Sequence, residues 1–500
     1  MIKLKPAGNE WLKQKFNLLD YSLSHSSYIG YNNSIELTNK GNVEQVYGLT
    51  YAPTKDEPLE HLEFSLKYDD FSLDFLHEIF KHIEPNDIVK FVQEKPTGRY
   101  RRKIGFLYEL LTNHNLPLPN PINATYADLL DVEKYVTANA IKDGKWKINN
   151  NLLGDKNFCP IVRKTAKLVH LLSQSIRDEI NQLKNEYSKE IFERATSYLY
   201  KKETRSSYAI EKEDPSPDRI TRFIDLLRRA GTEPTSSMLK EARLVQLQNE
   251  ILDPRFAEHS FRNYQNYVGE VLPGLRELVH YICPPPEFVN TLMSGLSNVF
   301  IKTSGVPSEI RASIIAFSFV FIHPFGDGNG RLHRFLIHDV LAHDGLVPEG
   351  IIIPVSAHLL NNIRDYDNVL EKYSKPLMQR ARYNFKDDGD IEVTNSQFLE
   401  GYYRYPDLTE QCIYLLEVIH STVLEDINKE LLFLERYDEL KSSIQNIVDM
   451  PDKDINLVIT FLHNNRGKLP KRRREKFNKL TDVEISKMED AYQQTFEKGY

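Results

Sequence analysis

The stretch HPFGDGNGRLHR at residues 323–334 is the most informative part of the 500-residue chain. Its three glycines alternate with Asp327 and Asn329, and a helix is predicted to begin near Arg331. Glycine lets a backbone approach a ligand closely, and the first N–H groups of a helix are unpaired donors at the positive end of its dipole. The pattern therefore predicts an anion site, with phosphate as the expected anion.

The ionisable residues of this stretch all fit phosphate chemistry. Arg331 and Arg334 lie three residues apart on the predicted first turn, so both can reach one phosphate group. Asp327 adds a carboxylate that a Mg²⁺ ion could bridge to the phosphate. His323 ends the preceding helix and can act as a general base in the same cleft. A plain glycine-rich turn would explain any one of these residues, but no structural need explains the whole set.

Two predicted helices flank the stretch. Residues 310–322 are apolar nearly all round, which indicates a buried helix that starts close to Pro307 and ends at His323. The second helix carries its apolar residues on one side and is expected to end at Gly345, since glycine suits the position after a helix.

Residues 323–334 resemble the signature of the Fic family, HxFx(D/E)GNGRxxR, and fill every specified position. The resemblance covers residues 200–380. It implies a mainly α fold, with a Fic-type helical core, a small β-hairpin flap, an N-terminal mostly helical domain and a C-terminal helical segment. It also implies an activity, because most active members are protein adenylyltransferases that move AMP from ATP to a Ser, Thr or Tyr hydroxyl.

The resemblance implies a role for each residue of the loop. His323 would deprotonate the incoming hydroxyl for attack on the α-phosphorus, and Asp327 would hold Mg²⁺ between the α- and β-phosphates. Arg331 would hold the outgoing pyrophosphate and Arg334 the γ-phosphate. The other phosphate contacts would come from Gly326, Gly328, Asn329 and Gly330. ATP and Mg²⁺ are thus the expected substrate and cofactor.

Residues 207–212, SYAIEK, resemble the inhibitory helix of the family, (S/T)xxxE(G/N), up to the last position. The resemblance implies that Ser207 begins the inhibitory motif and that Glu211 pairs with Arg334 and displaces the γ-phosphate. Lys212 departs from the pattern, which has glycine or asparagine at this position. Those residues suit a helix end in the left-handed conformation, where a lysine costs about 1 kcal/mol or more. Two alternatives follow: the helix continues to Asp214, or the inhibitory contact is looser. An ordinary surface glutamate is the competing interpretation.

Residues 262–271, from Arg262 to Val271, read as strand and turn and resemble the position of the family's flap. An extended segment of a target protein would pair with this flap by strand addition and present its hydroxyl. Self-modification and a homodimer are further partner interactions left open. A plain surface hairpin is the alternative.

Composition excludes several classes of protein. A net charge of −7 with 11% aromatic residues excludes disorder and disfavours a nucleic-acid partner. Only Cys159, Cys283 and Cys412 are present, which excludes a disulfide scaffold, and no apolar run is long enough for a membrane span. No secretory signal is visible, so a cytoplasmic location is expected. The predicted domains are a recognition or regulatory region at 1–195, the catalytic domain with its inhibitory helix at 196–400, and a C-terminal helical region at 401–500.

Periodicity gives further expectations outside the loop. Residues 61–68 read as a strand and residues 71–111 as helical, whereas residues 161–199 read as one long helical run. A short helix is predicted from an N-cap at Ser206 or Ser207 to Pro215.

Three other functions remain open. A Fic enzyme could transfer another phosphate-containing group, or remove AMP with water activated by a glutamate such as Glu211. A nucleic-acid-binding regulator or toxin–antitoxin component would use the basic cluster Lys471–Arg474, although such a run is more often a solvated helix start. His333, His338 and His343 recur at five-residue steps, which disfavours a metal pair on one helix face.

Overall fold

The computed structural model describes residues 4–38, 42–273, 276–348, 351–386 and 390–497. Helices dominate these ranges, and the strands within them form four small sheets. The predicted mainly α fold class is confirmed.

The N-terminal part combines helices with two of the sheets. Its helices are Gly8–Lys15 (α1), Pro58–Tyr68 (α2), Leu73–Phe80 (α3), Pro85–Glu94 (α4) and Arg99–Thr112 (α5). The first sheet has, in spatial order, Lys5–Ala7 (β1), His25–Gly30 (β2), Val43–Gly48 (β4) and Ser34–Leu37 (β3). The second has Ala127–Asp128 (β5), Ile148–Asn150 (β7) and Ile141–Asp143 (β6).

The strand predicted at residues 61–68 is wrong, because these residues lie in α2. Pro58 occupies the first turn, where its fixed φ favours a helix start. The buried positions include Leu62 and Ser65, three residues apart on one helical face. Alternating apolar residues over so short a run could not separate strand from helix. The helical reading of residues 71–111 is confirmed by α3, α4 and α5.

The central part carries most of the helices and two hairpins. Its helices are Ala166–Leu172 (α6), Ile176–Glu186 (α7), Lys189–Ile210 (α8), Pro217–Arg228 (α9), Glu241–Ile251 (α10), Pro286–Lys302 (α11), Ser308–Ile322 (α12), Asn329–His343 (α13), Val355–Asn361 (α14), Ile363–Arg380 (α15), Ser396–Arg404 (α16) and Thr409–Ser421 (α17). The hairpins are Tyr267–Leu272 (β8) with Arg276–Ile282 (β9), and Tyr383–Phe385 (β10) with Ile391–Val393 (β11).

Residues 161–199 form three helical segments instead of one run. Thr165, Ser175 and Ser188 interrupt the run, and each accepts a hydrogen bond from a backbone N–H in the first turn that follows it. Such N-caps satisfy donors that would otherwise lack partners, so they start new helices within a continuous amphipathic pattern.

The short helix predicted from Ser206 or Ser207 is also wrong. Both serines lie inside α8, which is capped by Ser188 and contains neither glycine nor proline through Ile210. Both are buried. The serines therefore serve tertiary contacts, and the helix ends before Pro215.

The core of the central part surrounds α12 and α13. Nearly every residue of α12 is buried, which confirms the predicted buried helix, and α13 packs directly against it. One continuous apolar cluster extends from Val136 to Leu431. The helix end at Gly345 is confirmed by its φ of 66°. The domain limits after residues 195 and 400 stay predictions.

The C-terminal part is helical and has its own apolar cluster. A π-helical turn at Thr422–Ile427 joins α17 to the helices Asn428–Ile447 (α18), Asp452–Asn464 (α19), Lys471–Arg474 (α20) and Asp482–Tyr492 (α21). Across the described part of the chain, no helix has both the length and the apolar character that crossing a bilayer requires.

Candidate active site

Residues 323–328 form the loop between α12 and α13, and two buried residues fix its path. Phe325 is buried against the rings of Phe261 and Phe319. The Asn329 amide binds both backbone groups of Phe325: Oδ1 accepts from its N–H at 3.0 Å, and Nδ2 donates to its carbonyl at 2.8 Å. Asn329 is 2% exposed, so here its amide holds the loop in shape. Its predicted phosphate contact stays a prediction.

His323 follows α12 in a left-handed conformation, with φ of 53°. Its Nδ1 lies 3.1 Å from the carbonyl of Val320, which can only accept, so Nδ1 carries the proton. Nε2 is then the nitrogen that can take a proton. Burial, reinforced by the charge of Arg262, lowers the pKa of His323 to about 4, against the opposing hydrogen bond to Val320. The imidazole is therefore neutral at physiological pH, as a general base must be.

Arg262 organises the backbone around His323. Its Nε donates to the carbonyl of His323 at 2.7 Å, and Nη1 and Nη2 donate to those of Tyr264 at 2.7 Å and Pro284 at 2.6 Å. Its own N–H donates to Pro324 at 2.8 Å. The first residue of the predicted flap is thus a buried residue that ties the base of the β8–β9 hairpin to the loop.

The loop delivers backbone donors to the N-terminus of α13. Gly328 precedes the helix with φ of 84°, which glycine adopts without strain. The first N–H groups of α13 have no carbonyl partner within the helix and remain donors for an anion. The N–H of Gly326 donates to Glu258 Oε1 at 2.7 Å. A Cβ on Gly326 would lie 2.1 Å from the hydroxyl of Tyr264, so any other residue there would displace the Tyr264 side chain.

The structure brings Arg334, Ser207 and Glu211 together although more than 120 residues separate them in sequence. Arg334 Nε donates to Ser207 Oγ at 2.9 Å, and Nη2 donates to the Ser207 carbonyl and to Glu211 Oε1, both at 2.8 Å. The Arg334 side chain is 1% exposed and that of Glu211 36%. A Cβ on Gly330 would lie 2.2 Å from Glu211 Oε1, so this glycine makes room for the carboxylate.

Each charge of this pair stabilises the other. Burial alone would raise the pKa of Glu211, but the charge and hydrogen bond of Arg334 outweigh it and hold that pKa below its ordinary value. Burial would likewise lower the pKa of Arg334, and Glu211 reverses that shift. Both groups are therefore ionised, and the guanidinium is held by a carboxylate at the point where a phosphate is predicted.

The end of α8 excludes one of the two alternatives for Lys212. The helix ends at Ile210, and Lys212 takes the left-handed conformation with φ of 58°. Lys212 N–H donates to the Ala209 carbonyl at 2.9 Å, and Glu213 N–H to that of Tyr208 at 3.1 Å, the two bonds of a Schellman turn. Continuation of the helix to Asp214 is therefore wrong. The turn usually made with glycine or asparagine forms here with lysine, and both the inhibition and its strength stay predictions.

Arg331 meets two carboxylates. Its Nη1 lies 3.0 Å from a carboxylate oxygen of Glu213, and its Nη2 donates to Asp327 Oδ1 at 3.0 Å. Glu213 also accepts from Arg219 Nη2 at 2.8 Å. The Arg331 side chain is 1% exposed, whereas those of Glu213 and Asp327 are 31% and 58% exposed, so a buried guanidinium meets two partly solvated carboxylates.

Asp327 fits the predicted Mg²⁺ site. Its side chain is 58% exposed, and its Oδ1 also accepts from the N–H of Gly328. Within the described ranges, no three His, Cys, Asp or Glu residues form a metal-binding group. Mg²⁺ nonetheless commonly binds through one or two carboxylates together with substrate phosphates and water. A single accessible carboxylate beside a phosphate site suits that mode.

The segment predicted as the flap, residues 262–271, supplies the first strand of a β-hairpin. β8 pairs antiparallel with β9, from Tyr267 opposite Ile282 to Leu272 opposite Arg276, with a bulge between Val268 and Gly269. Val268 and Leu272 are exposed. The strand occupies only the second half of the predicted segment, because residues 262–266 form the connection that Arg262 anchors.

The other candidates take structural positions. His333 is buried against the carbonyl of Ala316, and His338 pairs with Glu203 at 2.7 Å. The cluster Lys471–Arg474 is α20, a short helix start, as its simpler interpretation predicts.

Several site residues escaped sequence reasoning: Arg219, Glu213, Glu258, Arg262 and Tyr264. Only Glu213 carried a usable signal, since it is acidic and stands two residues after the recognised Glu211. Arg262 and Tyr264 lie in the segment that resembles the flap, but nothing in the sequence marks either residue. Arg219 and Glu258 reach the loop from segments whose spatial position the sequence does not reveal.

Comparisons with known proteins match the region that contains this loop. Residues 238–341, which include the whole loop, match the model of the Fic/DOC family. The chain is 29% identical over 150 residues to "Protein adenylyltransferase fic-1" of Caenorhabditis elegans and 34% identical over 129 residues to that of Caenorhabditis briggsae. These matches cover 27% and 24% of this chain, and the chain spans 28% and 24% of the length of these relatives.

Among solved structures, similar chains include two Fic proteins. One is a Fic family protein from Desulfovibrio desulfuricans G20, with 18% identity, a TM-score of 0.39 and coverage of 60% of this chain and 87% of that chain. The other is a Fic domain containing signaling protein from Bacteroides thetaiotaomicron VPI-5482, with 16% identity, a TM-score of 0.35 and coverage of 53% and 97%. Residues 238–341 of this chain are therefore a Fic/DOC family domain.

Proposed function

We propose that this chain is a protein adenylyltransferase that transfers AMP from ATP to a Ser, Thr or Tyr hydroxyl of a target protein or of itself. The observation that carries the proposal is the loop between α12 and α13. It sets a neutral histidine, with Nε2 able to accept a proton, a few residues from a helix N-terminus with unpaired N–H groups and two buried arginines. The adenylyltransferase names of the curated relatives support it.

In the proposed reaction, His323 Nε2 takes the proton of the incoming hydroxyl. The hydroxyl oxygen attacks the α-phosphorus, and the bond from that phosphorus to the α,β-bridging oxygen breaks. The N–H groups at the start of α13 stabilise the charge that develops on the α-phosphoryl oxygens, and Arg331 holds the departing pyrophosphate. A positioned general base of this kind is worth about 10²- to 10⁴-fold in rate.

Asp327 is the residue proposed to hold Mg²⁺. A bound Mg²⁺ would neutralise phosphate charge, and the accessible Asp327 carboxylate lies beside the Arg331 guanidinium. The proposed loop therefore uses its one exposed carboxylate for the cation and its arginines for the phosphates.

Glu211 is proposed to inhibit this chemistry. Its carboxylate holds Arg334 Nη2 at 2.8 Å, where the γ-phosphate of ATP would bind in a productive orientation. A carboxylate and a phosphate compete directly for the same guanidinium, because both accept its hydrogen bonds. Transfer then requires that Glu211 leave Arg334.

The target protein is proposed to bind at the β8–β9 hairpin. Within the described ranges β8 pairs with β9 alone, so its other edge offers backbone groups to an added strand. The exposed Val268 and Leu272 supply apolar contacts for such a strand.

The test is labelling with ATP that carries the isotope on either the α- or the γ-phosphorus, in the presence of Mg²⁺. We expect α-label on the chain itself or on a lysate protein, more for Glu211→Gly than for Asp214→Gly, an exposed acidic control. His323→Ala should abolish the label. Equal labelling by His323→Ala would refute the mechanism, γ-label alone would indicate phosphate transfer, and a stronger signal with another nucleotide would change the proposed substrate.

A further inference from the structure

Glu213 stands two residues beyond Glu211 on the turn that ends α8. Its N–H closes the Schellman turn on the Tyr208 carbonyl, so the turn fixes where its side chain starts. Its carboxylate reaches Arg331, the first arginine of the loop, at 3.0 Å. One turn therefore presents two carboxylates to two arginines, Glu211 to Arg334 and Glu213 to Arg331.

Arg219, on α9, also binds the Glu213 carboxylate. Arg219 Nη2 donates to Glu213 Oε2 at 2.8 Å, and the guanidinium of Arg219 lies over the ring of Tyr208, 4.9 Å from its centre. The ring of Tyr208 also faces Arg331, 5.5 Å away. The carboxylate of Glu213 thus bridges an arginine of α9 and an arginine of the catalytic loop.

Arg331 retains binding capacity that these contacts do not use. Of the described residues, it is one of those with a buried nitrogen that lacks a hydrogen-bond partner, namely Nε. A buried unpaired donor is unfavourable, and a guanidinium binds a phosphate best through several donors at once. A diphosphate group in this pocket would accept hydrogen bonds from the Arg331 donors that Glu213 does not use.

We propose that Glu213 is a second inhibitory carboxylate, which occupies the diphosphate-binding guanidinium of Arg331 as Glu211 occupies that of Arg334. This rests on the proposed function and adds to it the regulation of the same site. Since Glu211 and Glu213 belong to one turn, a movement of that turn frees both arginines together. A substitution of Glu211 alone removes the competing carboxylate from Arg334 and leaves that of Glu213 on Arg331, so such a variant is only partly active.

The first test is binding of inorganic pyrophosphate with Mg²⁺ by titration calorimetry, which measures access to Arg331 without any transfer. We expect Glu213→Ala to bind about tenfold more tightly than the wild type, or about 1.4 kcal/mol. Asp214→Ala removes the same charge from the next, exposed residue and should bind as the wild type does. Glu213→Ala binding no more tightly than Asp214→Ala would overturn the proposal. If Glu213→Ala unfolds, Glu213→Gln gives the same comparison with the charge alone removed.

The second test separates this inference from the proposed function. With α-labelled ATP below saturation, Glu211→Gly combined with Glu213→Ala should label about tenfold faster than Glu211→Gly alone. Tighter pyrophosphate binding with no label in any variant would support the role of Glu213 and refute the adenylyltransferase. Labelling by Glu211→Gly with unchanged pyrophosphate binding in Glu213→Ala would refute the role of Glu213 alone.

Discussion

Replacement of Asn329 by alanine tests whether this residue shapes the loop. The substitution removes the acceptor for the Phe325 N–H and the donor to the Phe325 carbonyl, which lie at 3.0 Å and 2.8 Å in a buried setting. A buried backbone group without a partner costs about 1–3 kcal/mol, so two such groups cost at least about 2 kcal/mol. Local opening of the loop should become easier by this amount, which corresponds to about 30-fold.

The measurement is hydrogen–deuterium exchange without nucleotide, followed in the peptide that contains Phe325. We expect its amide to exchange about 30-fold faster in Asn329→Ala, while Asn478→Ala, at an exposed position, exchanges as the wild type does. Unchanged exchange at Phe325 would refute the reasoning. It would mean that Asn329 acts only when a phosphate is bound.

Four further predictions concern the proposed base and the proposed inhibitory contact. Burial lowers the pKa of His323 to about 4, so the kcat/KM of labelling should stay level from about pH 7 to about pH 5.5, and a fall centred near pH 6.5 would contradict this. For the same reason, the contribution of His323 to folding stability is present above about pH 6.5 and is lost as the pH falls toward 4. Ser207→Ala removes the acceptor for Arg334 Nε and leaves the Glu211 contact. Labelling should therefore rise by about fivefold, less than in Glu211→Gly. No rise would show that Ser207 Oγ does not hold the arginine. Lys212→Gly removes about 1 kcal/mol of backbone strain from the left-handed position 212, which should stabilise the turn that carries Glu211. The thermal midpoint should therefore rise and labelling should fall about fivefold. Faster labelling would contradict a more stable inhibitory turn.

The loop between α12 and α13 could be predicted because its information is local. The glycines, the end of α12 at His323 and the start of α13 all lie within one short stretch, and the packing of α12 against α13 follows from their apolar faces. Within that stretch Asn329 holds the backbone of Phe325, although Arg262 and Glu258 bind the stretch from outside.

Contacts that cross the chain could not be predicted in this way. Glu211 was found only through resemblance to a known pattern, since 123 residues separate it from Arg334. Glu213 stands beside the recognised Glu211 and Arg262 begins the segment that resembles the flap, but the partners of both depend on how α8 and the β8–β9 hairpin fold onto the loop. The strand prediction for residues 61–68 failed for a related reason. A short apolar run fits the period of a strand as well as that of a helix, and the tertiary packing of α2 determines which one forms.

The charges of the pocket suggest why inhibition should depend on one turn. Four carboxylates meet two guanidiniums and the loop N–H groups: Glu211, Glu213, Glu258 and Asp327 around Arg331 and Arg334. The proposed substrate, a nucleoside triphosphate with Mg²⁺, must replace carboxylates with phosphates at each of these donors.

Two of the four carboxylates, Glu211 and Glu213, sit on the turn that ends α8, and a left-handed lysine lies between them. A force or partner that unwinds this turn removes two competing charges at once, because neither carboxylate can stay on its arginine when the turn between them opens. The strained Lys212 lowers the cost of that opening, so we expect this chain to be released by a weaker signal than a relative with glycine at the same position.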